Sequence, residues 1–64
     1  MIDPTKTISR GSLIVNKIGD LFLLLEDANL EKRYTEIYAL YPPRGIFQFL
    51  THQIIGYKIV CVPS

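Results

Sequence analysis

Residues 34–50 read YTEIYALYPPRGIFQFL, and the fold turns on how this stretch is parsed. Up to Tyr41 it alternates at close to period two. Thr35, Ile37, Ala39 and Tyr41 fall on one phase, and Glu36, Tyr38 and Leu40 on the other, the pattern of a β-strand rich in aromatic and β-branched residues. Proline has no N–H to give a ladder, so Pro42-Pro43 ends that strand. Gly45 supplies backbone freedom where the chain restarts as Ile46-Phe47-Gln48-Phe49-Leu50. PPRG is thus expected to be the turn of a hairpin joining 34–41 to 46–50.

Working outward, Leu13-Ile14-Val15 and Leu21-Phe22-Leu23-Leu24-Leu25 flank NKIGD and read as a second hairpin. EDANLEKR (26–33) is polar apart from Ala28 and Leu30 and reads as a long loop, with Asn29 suited to its tip because asparagine tolerates left-handed backbone. Thr51 to Gly56 fits one helical turn capped by Thr51, and Tyr57 to Val62 fits a last strand closed by Pro63. The competing reading is a helix over 20–41. Asp20 would cap it, with Leu21, Leu24, Leu25 and Ala28 along one stripe, but Glu31 and Lys32 would then interrupt that stripe.

A chain of 64 residues holds one domain, 1–64, with 1–9 expected to be a peripheral N-terminal arm. A domain this short buries only about 60% of the surface of its unfolded chain. An apolar content of 48% suits a globular protein, and 20% charged residues is low enough to leave apolar surface for a partner. The net charge of +1 argues against a strongly basic nucleic-acid face. A single cysteine excludes an internal disulfide and predicts a reducing, cytoplasmic setting. MIDPTKTISRG has no secretion pattern, and the longest apolar run, Leu21 to Leu25, is far short of a membrane span.

Chemistry-bearing residues are few. His52 and Cys61 are the only residues of their types, and one of each is not a metal site. Cys61 alternates with Tyr57 and Ile59, which predicts a small, buried core thiol. His52 is expected to be exposed on the helical turn. Glu26 and Asp27 are adjacent, so they point apart and end a strand in water. Gly11, Gly19, Gly45 and Gly56 are scattered turn glycines and form no phosphate loop. No catalytic residue, metal or cofactor is expected. The aromatics say more. Both phases of the 46–50 strand are mainly apolar, so either both are buried or one is a binding surface. The binding reading is an aromatic ledge of Tyr38, Tyr41, Phe47 and Phe49 beside Arg44, suited to a protein partner or a homodimer. Aromatics near Glu31-Lys32-Arg33, Arg44 and Lys58 also allow a platform for single-stranded nucleic acid, the less favoured alternative.

The order of elements is strand, loop, strand, long loop, strand, tight turn, strand, helical turn, strand. With RGSLIVNK (10–17), DLFLLLED (20–27) and THQIIGYKIV (51–60), this pattern resembles the Src-homology-three-like small barrels over nearly the whole chain, Arg10 to Val62. It is similar as well to very short barrel proteins of tailed bacteriophages that open on a Gly-Asp-Leu-Val-like segment, with Ser12 here in place of the acidic residue. The resemblance implies an all-β, five-stranded barrel with one helical turn before the last strand. It also implies a non-enzymatic binding or assembly module, in the viral case an accessory protein engaging a host or virion protein in the host cytoplasm. A self-associating structural subunit is the further alternative.

Overall fold

The computed structural model describes residues 5–63. They form an all-β protein: β1 (Thr7–Ile8), β2 (Leu13–Val15), β3 (Leu21–Leu24), β4 (Ala28–Asn29), β5 (Glu36–Tyr41), β6 (Gly45–Leu50), a 3-10 turn (Thr51–Ile54) and β7 (Lys58–Cys61). Five strands pair antiparallel in the order β6-β5-β3-β2-β7, and β1 pairs with β4 in a separate two-stranded ribbon. Among the described residues no ladder joins β6 to β7, so the main sheet is open at both edges. No helix is long and apolar enough to cross a membrane.

The two hairpins follow from their turns. In the first, Asn16 Oδ1 accepts the N–H groups of Ile18 (3.1 Å) and Asp20 (2.9 Å), and the Gly19 N–H donates to the Asn16 carbonyl (3.2 Å). An asparagine that satisfies its own loop backbone makes the bend rigid. In the second, the Arg44 N–H donates to the Tyr41 carbonyl (2.8 Å) and Gly45 takes φ +99°, a conformation side-chain-bearing residues rarely adopt. The β5–β6 register then runs from Tyr41↔Gly45 to Glu36↔Leu50. The helical reading of 20–41 is set aside, because Leu21–Leu24 pairs with both β2 and β5.

Period-two alternation decides which side chains enter the core. Ile14, Phe22, Leu24, Ile37 and Ala39 point to one face of the sheet and are buried. Ile8, Ala28, Leu30 and Ile54 cover that face from the ribbon, the loop beyond it and the 3-10 turn.

Several expectations are corrected here. Residues 7–8 of the stretch expected to be a peripheral arm form β1, and Ile8 is buried in the core; residues 1–4 lie outside the described chain. The polar stretch 26–33 is not only a loop. Ala28 and Leu30 are its apolar residues, and both are fully buried. Asn29 lies in β4, its side chain accepting the Glu31 N–H (3.1 Å), and the left-handed residue is Tyr34 instead (φ +66°). Thr51 does not cap the helical turn but lies inside it, buried. Its hydroxyl donates to the Lys32 carbonyl (2.6 Å) and accepts from the Thr35 N–H (3.4 Å), tying the turn to the loop before β5. Gln53 Oε1 takes the Leu50 N–H at the start of the turn (2.8 Å). His52 is half-buried rather than exposed, its ring 4.7 Å from that of Tyr34.

Cys61 is exposed, not a core thiol. The β2–β7 pairing shifts by one residue between Ile14↔Ile59 and Leu13↔Cys61, leaving Val60 as the extra residue of a bulge. Such a shift moves every following side chain to the other face. Ile59 opposes core-facing Ile14, whereas Cys61 opposes Leu13 on the outward face.

Candidate functional site

Four aromatic residues gather around a fifth ring. Phe22, buried on β3, has the rings of Tyr41 (5.1 Å), Phe49 (5.1 Å, edge-on), Phe47 (6.0 Å) and Tyr57 (6.1 Å) about it. The outer four also contact each other in sequence: Tyr41–Phe47 at 5.6 Å, Phe47–Phe49 at 6.4 Å and Phe49–Tyr57 at 6.1 Å. The sheet brings them together because Phe47 and Phe49 share a phase of β6, opposite Ala39 and Ile37 of β5. Ala39 has no bulk to cover them. Offset and edge-on ring pairs each contribute about 0.5–1.5 kcal/mol beyond area burial, so the row is held as a unit. Phe22 closes it from beneath, while Phe47 remains 37% exposed and Tyr41, Phe49 and Tyr57 half-buried. The result is a ledge of ring edges at the margin of the core.

Polar groups anchor both ends. The Tyr41 hydroxyl donates to Asp20 Oδ1 (3.1 Å), and Asp20 Oδ2 takes a long bond from Asn16 Nδ2 (3.4 Å). That bond to Asp20 raises the Tyr41 hydroxyl above its ordinary pKa. Desolvation and the Asp20 charge act in the same direction, and Arg44 opposes them. Burial likewise raises Tyr57, with the Asp20 charge adding to it and a hydrogen bond with Asn16 opposing. The Asn16–Asp20 turn therefore holds two of the four ledge rings.

Open clefts flank this turn. One, of about 400 Å³, is lined by Asn16, Lys17, Ile18, Gln53, Gly56 and Tyr57. The other, of about 340 Å³, shares Asn16, Lys17 and Gly56 and adds Val15, Gly19 and Lys58. Ile18 stands at the tip of the turn, 83% exposed. The ledge thus continues through Tyr57 into a cleft walled by Ile18 and Tyr57, with Lys17 at its rim.

Of the residues expected from sequence, Tyr41, Phe47 and Phe49 are brought together, and Arg44 lies at the exposed β5–β6 turn close enough for its charge to act on Tyr41. Tyr38 is not part of the group. It pairs with Gln48 on the opposite face, 41% exposed. Sequence reasoning left out Phe22, Tyr57, Asn16, Asp20 and Ile18. The phase shared by Phe22 and Leu24 was a usable signal for the first. Nothing local marks Tyr57, which reaches the ledge only because the 3-10 turn carries the chain back across the sheet. Among the described residues no group of three or more His, Cys, Asp or Glu side chains is placed to hold a metal ion.

Comparison with known proteins finds no matching family model, no similar curated protein and no similar solved structure.

Proposed function

We propose that this chain is a non-enzymatic binding module that takes an apolar segment of a protein partner on the ledge of Tyr41, Phe47, Phe49 and Tyr57. The observation that carries this reading is the ledge itself: four rings packed on Phe22, part exposed, ending in a cleft beside a rigid turn. Tyrosine and arginine are the residue types that most often anchor interfaces, and rings already fixed by their neighbours lose little entropy on binding. Arg44, on a proline-stiffened turn, offers a cation for an acidic group of the partner.

We also infer that the sheet is a Src-homology-three-like small barrel. Numbering only its five long strands, the order is 4-3-2-1-5 with a helical turn before the fifth, and the ribbon and turn cover one face. That order supports the reading. Fold does not by itself fix function, so the binding assignment rests on the ledge.

The test is capture of a partner from native cytoplasm by the immobilised chain, repeated with Arg44→Ala and with Phe47→Leu, which keeps apolar volume but removes the ring. Capture that falls with both variants while their melting temperatures stay near wild type supports the assignment. Capture indifferent to both contradicts it. Binding of a mixed single-stranded oligonucleotide that weakens steeply with salt would move the assignment to nucleic acid, with Lys17 and Lys58 as phosphate contacts.

A further inference from the structure

We propose that the outward face of the five-stranded sheet is a two-fold interface with a second copy of this chain. This face is opposite to the aromatic ledge and independent of it. The strand registers align one residue from each strand in a single cross-sheet row: Ile46 opposite Leu40, Leu40 opposite Leu23, Leu23 opposite Leu13, Leu13 opposite Cys61. All five point away from the core. Ile46 is 65% exposed, and the three leucines are only half-buried. Leu21, Leu25 and Tyr38 extend the apolar surface to either side of the row, and all three are exposed. A solvated antiparallel sheet normally alternates apolar residues inward with polar ones outward. Here the outward phase is leucine-rich on the three central strands, and Leu21, Leu25, Tyr38 and Ile46 on it are exposed.

Charge selects a second copy as the occupant, and the size of the face allows one. Five strands spaced about 4.8 Å apart, at about 3.3 Å per residue, span a plane of roughly 400 Å². That is about half of the ~800 Å² per partner of a standard interface, the size of a weak, reversible dimer. A contiguous apolar patch of about 400 Å² is within the range of the largest patches on monomers, which often serve binding. A two-fold interface must be complementary to itself. A row of aliphatic side chains meets that condition, since sheets pack face to face through such rows. The charges meet it too. Among the described strand residues only Glu36 and Lys58 bring charge to this face, one acid on β5 and one base on β7. A two-fold axis in the plane of the sheet can set Glu36 of each copy against Lys58 of the other. A face of a single sign would repel its own copy.

Sedimentation of the full chain from low-micromolar to near-millimolar concentration tests this. The expected result is a reversible monomer–dimer equilibrium. Leu23→Lys, at the centre of the row, should raise the dissociation constant by more than about 30-fold, the loss of one anchor residue. Ile46→Glu, at the exposed end, should weaken the dimer less and leave the β-sheet circular dichroism unchanged. Glu36→Lys and Lys58→Glu should each weaken the dimer, and the double swap should restore it. Should Leu23→Lys fail to fold, Ile46→Glu and the charge swaps carry the test unaided. A wild-type chain that stays monomeric throughout overturns the proposal. So does a dimer that ignores Ile46→Glu and the swaps but is lost in Val60→Pro, which would assign association to the open β7 edge.

Discussion

Along β5 the side chains of Ile37, Ala39 and Tyr41 turn to one face of the sheet, and those of Glu36, Tyr38 and Leu40 to the other. The first set is covered by the β1–β4 ribbon, by Leu30 and by the 3-10 turn, and the second is not. Both faces are largely apolar, so hydrophobicity alone does not tell core from surface in this chain. What separates them is the remainder of the sequence. Only one side receives Ile8, Ala28, Leu30 and Ile54. At its margin that side runs out of cover and leaves the aromatic ledge. A small domain cannot enclose two faces, and the uncovered apolar area stays at the surface.

The contrast is sharpest at neighbouring residues of β3. Phe22 is buried beneath the ledge, and Leu23 stands on the outward face. Phe22→Ala should cost about 3–5 kcal/mol, which removes most or all of the stability of a domain this size. Leu23→Ala, measured where the chain is monomeric, should cost no more than about 1 kcal/mol. Paired urea titrations check this, and equal costs would mean the outward face is as well covered as the core.

Next in size is the turn that aligns β5 with β6. A Cβ at Gly45 would meet nothing within 4 Å, yet φ there is +99°. Gly45→Val should therefore cost about 1–3 kcal/mol through backbone strain alone. Because register decides which face each β6 side chain takes, the loss should appear in the near-ultraviolet signal of Tyr41 and Phe47 as well as in the melting temperature. A neutral Gly45→Val would show that the turn does not set the register.

The smallest expected effect concerns alkaline pH. The Tyr41 and Tyr57 hydroxyls are both held above the ordinary value of 10.0, so the folded chain keeps their protons more tightly than the unfolded chain does. Their contribution is fully present below about pH 10 and is lost as pH rises through the raised values. Tyr41→Phe removes the bond to Asp20 and should flatten the alkaline decline. Stability against pH from 8 upward, for wild type and Tyr41→Phe, compares the two directly.

The β5–β6 hairpin was legible in the sequence because its signals agree: period-two alternation, two prolines that end a ladder and a glycine where φ is positive. The NKIGD hairpin was legible for similar reasons. Features that depend on distant partners were not. A two-residue strand such as β1 has no periodicity to detect, and Ile8 is buried only because β4 lies beside it. Ala28 and Leu30 were masked by the charges around them. Cys61 has the phase of a core residue until a bulge, which no local residue signals, reverses it. The ledge was half legible. Alternation already separates Tyr38 from Tyr41, and grouping them by composition ignored the pleat. Tyr57 joins only through the path of the chain.

In the functions proposed above the two faces have different partners, the ledge a foreign protein and the outward face a second copy. The most direct measurement is the affinity of the captured partner for three chains: wild type, Arg44→Ala and Ile46→Glu. Arg44→Ala should weaken binding by about 1–3 kcal/mol, an anchor-sized loss. Ile46→Glu should bind the partner as wild type does, even where it no longer dimerises. Wild-type affinity in Arg44→Ala together with lost affinity in Ile46→Glu would contradict that division, and would assign the partner to the outward face.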